Sequence, residues 1–131
     1  MKIFVGQPVT GEDLSKLREE SHKICSTLSK TGAYAYCTLI EPEDFESKSN
    51  KDKMKHAFNN LDNFDTFLAI IRNERKSEGM LMEIGYCVAK RKKIILAIKK
   101  DVKNTYLPEI ADKVIEWDTF DNLIKQLGKL R

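Results

Sequence analysis

The sequence predicts an α/β domain of the doubly wound kind, a five-stranded parallel sheet with helices on both faces. Three observations carry this. Short runs rich in β-branched and aromatic residues alternate with longer segments of helical spacing. Two of those runs, Thr66–Ile71 (TFLAII) and Lys93–Ile98 (KIILAI, after its leading lysine), are apolar without alternation, as strands buried on both faces are. Helical segments between successive strands force parallel crossovers, and these are right-handed.

The elements follow in order. Lys2–Gly6 (KIFVG) is a buried first strand, and Gln7 to Gly11 is a loop with proline and glycine. Glu12 and Asp13 open a helix in which Leu14, Leu17, His22, Cys25 and Leu28 keep helical spacing as far as Ser29. Thr31-Gly32 ends it. Tyr34–Ile40 (YAYCTLI) is the second strand. Glu41–Lys53 is a polar surface excursion that turns into a helix near Lys51. That helix reaches about Leu61, with Met54, Ala57, Phe58 and Leu61 as its apolar face. The third strand, Thr66–Ile71, leads into a loop of charges, Arg72–Lys76 (RNERK). Ser77 is an N-cap and Glu78 suits a first turn, so a helix runs from there to about Lys90. After the fourth strand come a loop (Asp101–Pro108), a helical turn (Pro108–Asp112) and a short fifth strand, Lys113–Trp117 (KVIEW). Asp118 or Thr119 caps a last helix with Phe120, Leu123, Ile124, Leu127 and Leu130 on one face.

The bulk properties bound the rest. The 131 residues are read as a single domain, residues 1–131, of the Rossmann or flavodoxin kind. Lysine and arginine number 23 against 20 acids, and a net charge of +3 is too mild to argue for nucleic acid. Cys25, Cys37 and Cys87 stand far apart without C-x-x-C spacing, so they read as reduced thiols in small core positions. No metal-ligand spacing and no G-x-G-x-x-G are present, so no metal or cofactor is expected. MKIFVGQP is too short an apolar run for a signal peptide, and no stretch approaches the ~20 apolar residues of a membrane span. The expectation is a cytoplasmic protein with no membrane partner.

In doubly wound sheets ligands bind outside the carboxyl ends of the strands, where the strand order reverses. That singles out the loops Gly6–Gly11 and Arg72–Ser77. On the helix after the second loop, Gly79, Glu83 and Tyr86 recur at i, i+4 and i+7. Met80, Leu81, Ile84 and Val88 form another stripe, expected to pack on the sheet, so Glu83 is expected to point away from the core. Gly79 costs the helix ~1 kcal/mol against alanine. Its bareness leaves room above Glu83 and lets its backbone approach a ligand. The N–H groups of the first turn, with the Ser77 hydroxyl, form an anion seat. Against this stands a plain surface glutamate between packing glycines. Met82, outward on this helix, reads as a ligand wall or a subunit contact. Trp117 reads as core or interface, and His22 as a packing histidine.

Asp65, Ser77-x-Gly79, Glu83-x-Gly85-Tyr86 and Lys93-Ile94-Ile95-Leu96 together resemble the nucleoside 2-deoxyribosyltransferase family, which includes 2′-deoxynucleoside 5′-phosphate N-hydrolases. The resemblance implies a small doubly wound domain that forms a homodimer or higher homo-oligomer. It implies cleavage or transfer at the N-glycosidic bond of a (deoxy)nucleoside or its 5′-monophosphate, without a cofactor. Glu83 then attacks the anomeric carbon to form a glycosyl-enzyme, which water or another base resolves. Gly6, Gln7 and Pro8 line up with the substrate loop, and Ser77 and Gly79 with residues that hold a 5′-phosphate. Asp65 is counted with the substrate-binding residues, although its place before a strand reads as backbone capping. Three departures stand out. Gln7-Pro8 replaces small and basic residues, the loop Arg72–Lys76 is more cationic than expected, and the family aspartate eight residues ahead of Asp65 is Ala57 here. His56 beside it is the candidate proton donor near neutral pH. Either another group supplies the proton, or the chain is a catalytically silent nucleotide-binding or sensing module. A ligand-free structural dimer is a third reading.

Overall fold

A computed structural model describes residues 1–9, 11–37, 39, 49–75 and 77–130. Strands and helices alternate as expected: β1 (Lys2–Gly6), α1 (Leu14–Lys30), β2 (Tyr34–Cys37), α2 (Asn50–Leu61), β3 (Thr66–Ile71), α3 (Glu78–Ala89), β4 (Lys93–Lys99), α4 (Leu107–Ile110), β5 (Lys113–Trp117) and α5 (Phe120–Leu127). All strand pairs are parallel, in the order β2-β1-β3-β4-β5.

Local chemistry starts each long helix. The carboxylate of Asp13 accepts from Ser15 N and Lys16 N, the Ser49 hydroxyl from Asp52 N, Ser77 from Met80 N and Thr119 from Asn122 N. Each cap satisfies first-turn donors that have no partner inside the helix. Of the two residues proposed to cap α5, Thr119 does so, and Asp118 holds Thr119 N instead at 2.7 Å. Gly32, just beyond α1, sits at φ 94. The second strand is shorter than expected: it stops at Cys37, while Thr38 and Ile40 lie outside the described residues, as do Glu41 to Lys48 of the polar excursion.

Side chains alternate between two cores. Ile3, Val5, Leu68, Ile70, Ile95 and Ala97 point towards Ile24 and Leu28 of α1 and Leu123 and Leu127 of α5. Phe4, Phe67, Ala69, Ile94 and Leu96 point the other way, towards Leu61 of α2 and Met80, Ile84 and Cys87 of α3. Trp117 is buried in the first core. Cys37 and Cys87 are buried as expected, whereas Cys25 is half-buried. Burial pushes the thiol of Cys25 up to about 12 and that of Cys87 up to about 11, so both stay protonated near neutral pH.

The face of α3 requires a correction. Met80 and Ile84 pack on the sheet, but their third partner is Cys87, and Leu81 and Val88 remain 42 % and 49 % exposed. The helix is apolar almost all round (GMLMEIGYCVA), so its periodicity does not select one face.

The strand starts are fastened to main chain. Both carboxylate oxygens of Asp65 accept from Lys2 N, at 3.2 and 3.1 Å, and Thr66 Oγ1 donates to one of them at 2.7 Å. Asp112 accepts from Ile94 N at 2.7 Å, and Lys92 Nζ donates to Phe64 O at 2.6 Å. Among the described residues no helix is long and apolar enough to cross a membrane.

At the other end of β1, Gly6 lies against the Phe67 ring. A Cβ there would come within 2.4 Å of Phe67 Cζ, and that ring is fully buried. Gly6→Ala therefore overpacks the β1–β3 contact and costs about 1–3 kcal/mol, read as a lower urea midpoint with unchanged slope.

Candidate functional site

The chain leaves β1 towards β2 and leaves β3 towards β4, so the strand order reverses between these two neighbours. Their carboxyl ends open the crevice in which such sheets bind ligands. Gly6, Gln7, Pro8, Ser77 and Gly79 are all brought to this edge, and Glu83 lies in the second turn of α3. Asp65 is not. It stands at the start of β3, and the six residues of that strand put about 20 Å between it and the crevice. Burial raises its pKa, but the Thr66 hydroxyl and Lys2 N–H outweigh this and hold it below the usual carboxylate range, as suits a backbone cap.

The Gln7 side chain is turned into the protein. Its Nε2 donates to Ser21 Oγ at 2.6 Å, and its Oε1 accepts from Arg72 Nη2 at 2.6 Å. Arg72 also pairs with Glu20 at 3.0 Å, and its guanidinium lies 5.8 Å from the Trp117 ring centroid. Among the described residues, Arg72 Nε and Trp117 Nε1 are buried without a hydrogen-bond partner. Gln7 thus presents backbone rather than its amide to the crevice. The sequence reading missed this network. Its trace was two polar residues, Gln7 and Arg72, each directly after a strand and meaningful as a pair only once those strands are neighbours.

The loop after β3 is tied to both sides. Asn73 Nδ2 donates to Glu12 Oε1 at 3.0 Å, and Glu74 Oε1 accepts from Lys103 N at 3.0 Å and Asn104 N at 3.1 Å.

The stripe of Gly79, Glu83 and Tyr86 faces α2. A Cβ on Gly79 would lie 3.7 Å from Met54 Sδ. Tyr86 stacks on Phe58 with centroids 4.7 Å apart, and its hydroxyl donates to Asp62. Glu83, between Gly79 and Tyr86 on that stripe, lies outside both core clusters, as expected, but beside α2 rather than in open solvent. It is half-buried, and burial pushes its carboxyl from 4.5 up to about 7. His56 on α2 is half-buried, with Nε2 2.9 Å from Asn60 Nδ2, and Asn60 donates to the Tyr36 hydroxyl at 3.3 Å. Ala57 is buried, so that position offers no ionisable group. Among the described residues no group of three or more histidine, cysteine or acidic side chains could hold a metal ion.

The sequence model of the nucleoside 2-deoxyribosyltransferase family matches residues 4–123. The chain belongs to this family. Among curated proteins none matches the chain by sequence. Solved structures do match it in fold. A CMP N-glycosidase of Clostridium botulinum has a TM-score of 0.71 at 18 % identity, over 97 % of each chain. A conserved protein of Enterococcus faecalis has a TM-score of 0.63 at 16 % identity, over 97 % of this chain and 96 % of its own. A 2-deoxyribosyltransferase of Bacillus psychrosaccharolyticus has a TM-score of 0.59 at 16 % identity, over 100 % of this chain and 93 % of its own. Membership in the nucleoside 2-deoxyribosyltransferase family and the five-stranded order agree with each other.

The raised Glu83 carboxyl has a stability signature. Between pH 4.5 and about 7 the folded state keeps a proton that the unfolded state has lost. Its contribution is fully present below pH 4.5 and is lost as pH rises through about 7. Glu83→Gln, which cannot ionise, is expected to raise Tm more at pH 8 than at pH 5. Thermal melts by circular dichroism at the two pH values check this, and an equal shift at both would contradict it.

Proposed function

We propose that this protein cleaves or transfers at the N-glycosidic bond of a nucleoside or its 5′-monophosphate, with Glu83 as nucleophile. The observation that carries this is the setting of Glu83: a half-buried carboxylate beside a bare glycine, on the helix that leaves the strand-order reversal, in a chain of this family. The fold likeness to a CMP N-glycosidase and a 2-deoxyribosyltransferase supports it.

In this reading the ionised Glu83 attacks the anomeric carbon. The C–N bond breaks, its electron pair leaves with the base, and a proton reaches the base nitrogen. His56 on α2 is the candidate donor. The resulting glycosyl ester is then split by water, which returns Glu83 to its carboxylate, or by an incoming base. Partial burial serves the carboxylate as a nucleophile because fewer waters must be shed when it attacks. Ser77 and Gly79, at the N-terminus of α3, would hold a 5′-phosphate.

A second reading, a silent nucleotide-binding module, is favoured by one observation: Ala57 is buried where the resemblance calls for an aspartate. Incubation with a panel of nucleosides and their 5′-monophosphates separates the two. Wild type is expected to release free base, detected by chromatography, with a rate that rises between pH 6 and 8 through the Glu83 ionisation near 7. Glu83→Gln is expected to lose at least about a thousandfold, as loss of a covalent nucleophile does. A thermal shift with a nucleotide but no released base from wild type would instead establish the silent module.

We also infer a homodimer through the outer face of α3. Leu81, Met82 and Val88 are 42 %, 50 % and 49 % exposed, and the small Gly85 and Ala89 lie exposed among them. In a two-fold contact the same patch of both copies meets itself, so a stripe without charge avoids self-repulsion, and small residues let two helices approach. Light scattering is expected to give twice the chain mass for wild type and the chain mass for Met82→Glu.

A further inference from the structure

Positive charge for an anionic substrate cannot come from the loop after β1, since no residue from Gly6 to Asp13 is cationic. It can come from the loop after β3. Of the two arginines described there, Arg72 is committed to Glu20 and Gln7. Arg75 is held far less. Its side chain is 54 % exposed, and Nη2 lies 3.5 Å from Glu12 Oε1. Its guanidinium lies close against Gly11, where a Cβ would fall 1.8 Å from Nη1 and where φ is +78. Arg75 therefore crosses from one loop to the other, over the mouth of the crevice.

That crossing is separable from the shape of the loops. Arg75 N donates to Asn73 Oδ1 at 2.9 Å, and Asn73 Nδ2 donates to Glu12 Oε1 at 3.0 Å. Arg75 Nε also donates to Asn73 Oδ1, at 3.4 Å, and the bonds of Asn73 to Arg75 N and to Glu12 keep turn and carboxylate in place if the guanidinium swings away. Pro8, Asn73, Arg75 and Ser77 also line one end of a cleft of about 30 Å³ that runs towards Val102, Thr105 and Leu107 on the β4 side, with room for about one water.

We propose that Arg75 is the residue that selects a 5′-phosphorylated substrate, and that Glu12 holds its guanidinium across the crevice until the phosphate takes the place of the carboxylate. A guanidinium pairs with phosphate oxygens bidentately, and a phosphate dianion carries more charge than the carboxylate it displaces. The geometry suits such a substrate. Ser77 precedes Glu83 by six residues, ~9 Å along the helix axis. A phosphate gripped between Arg75 and Ser77 leaves the sugar directed towards Glu83. The inference rests on the N-glycosidase reading for its substrate class, but its recognition step is independent of turnover.

The test is calorimetric titration of each nucleoside and its 5′-monophosphate in a Glu83→Gln background, which keeps the ligand intact, alongside base release by the same substitutions in the Glu83 enzyme. The expected result is a monophosphate bound at least about tenfold more tightly than its nucleoside, the worth of one charge-assisted pair. Arg75→Ala is expected to bring that ratio to about one while nucleoside affinity is unchanged, and Glu12→Gln to tighten the monophosphate severalfold. A ratio that survives Arg75→Ala, or that collapses in Lys76→Ala instead, overturns the proposal, as does a parent protein without phosphate preference or without binding. An Arg75-dependent ratio without base release overturns the enzyme reading alone, and base release without phosphate preference overturns this inference alone.

Discussion

Burial of β1 and β3 on both faces of the sheet is the constraint on which the rest of the molecule depends. Phe4 and Phe67, neighbours in register, stack at 5.7 Å on one face, while Val5 and Leu68, also in register, belong to the core on the other. Neither strand can slip by one residue without exchanging its two faces. The register then decides where both chains leave the sheet. It sets Gly6 against Phe67, brings Gln7 within reach of Arg72, and places Glu12 beside Asn73. The crevice is the space left where two fully buried strands part company, and its residues are functional by position before they are functional by type.

Glu83 shows how much that position changes a side chain. On an isolated helix it would be an ordinary surface acid. Here α2 lies alongside, stacked through Phe58 and Tyr86, and the carboxyl is pushed to about 7. The two helices are tied by aromatic and hydroxyl contacts near Tyr86, while Gly79, one turn before Glu83, offers no side chain and leaves Met54 as its nearest neighbour across the gap. A rigid closure on one side and a thin wall on the other is a workable shape for admitting a flat ring to a half-buried acid.

What could be read from the sequence was whatever depends on short-range pattern. β1, β3 and β5 match their expected limits, and the capping residues Ser77 and Thr119 occupy the expected places, because strand runs and N-caps are written in a few adjacent residues. The buried face of α3 was misread because an apolar helix carries no periodic contrast. Glu83 was placed off the core, where it is, but its half-burial was not legible, since the wheel shows where a residue sits on its own helix and not which helix packs beside it. Asp65 was counted with the substrate-binding residues through the resemblance, while its place before a strand already read as the backbone cap that it is. The pairing of Gln7 with Arg72 has a sequence separation of 65, and no local signal predicts it. The missing aspartate at Ala57 was visible from the start, and its burial agrees with the apolar face expected of α2.

The two ends of the sheet are fastened by different means. At the strand starts, Asp65, Asp112 and Lys92 bind main-chain groups. At the crevice, Gln7, Glu12, Arg72 and Asn73 bind chiefly one another's side chains. A main-chain partner survives any substitution of the residue that carries it, whereas a side-chain partner disappears with one. The architecture thus divides heritable change unevenly. The end that holds the sheet together tolerates drift in its partners, and the crevice end can be rewritten one residue at a time, with the sheet beneath it left standing.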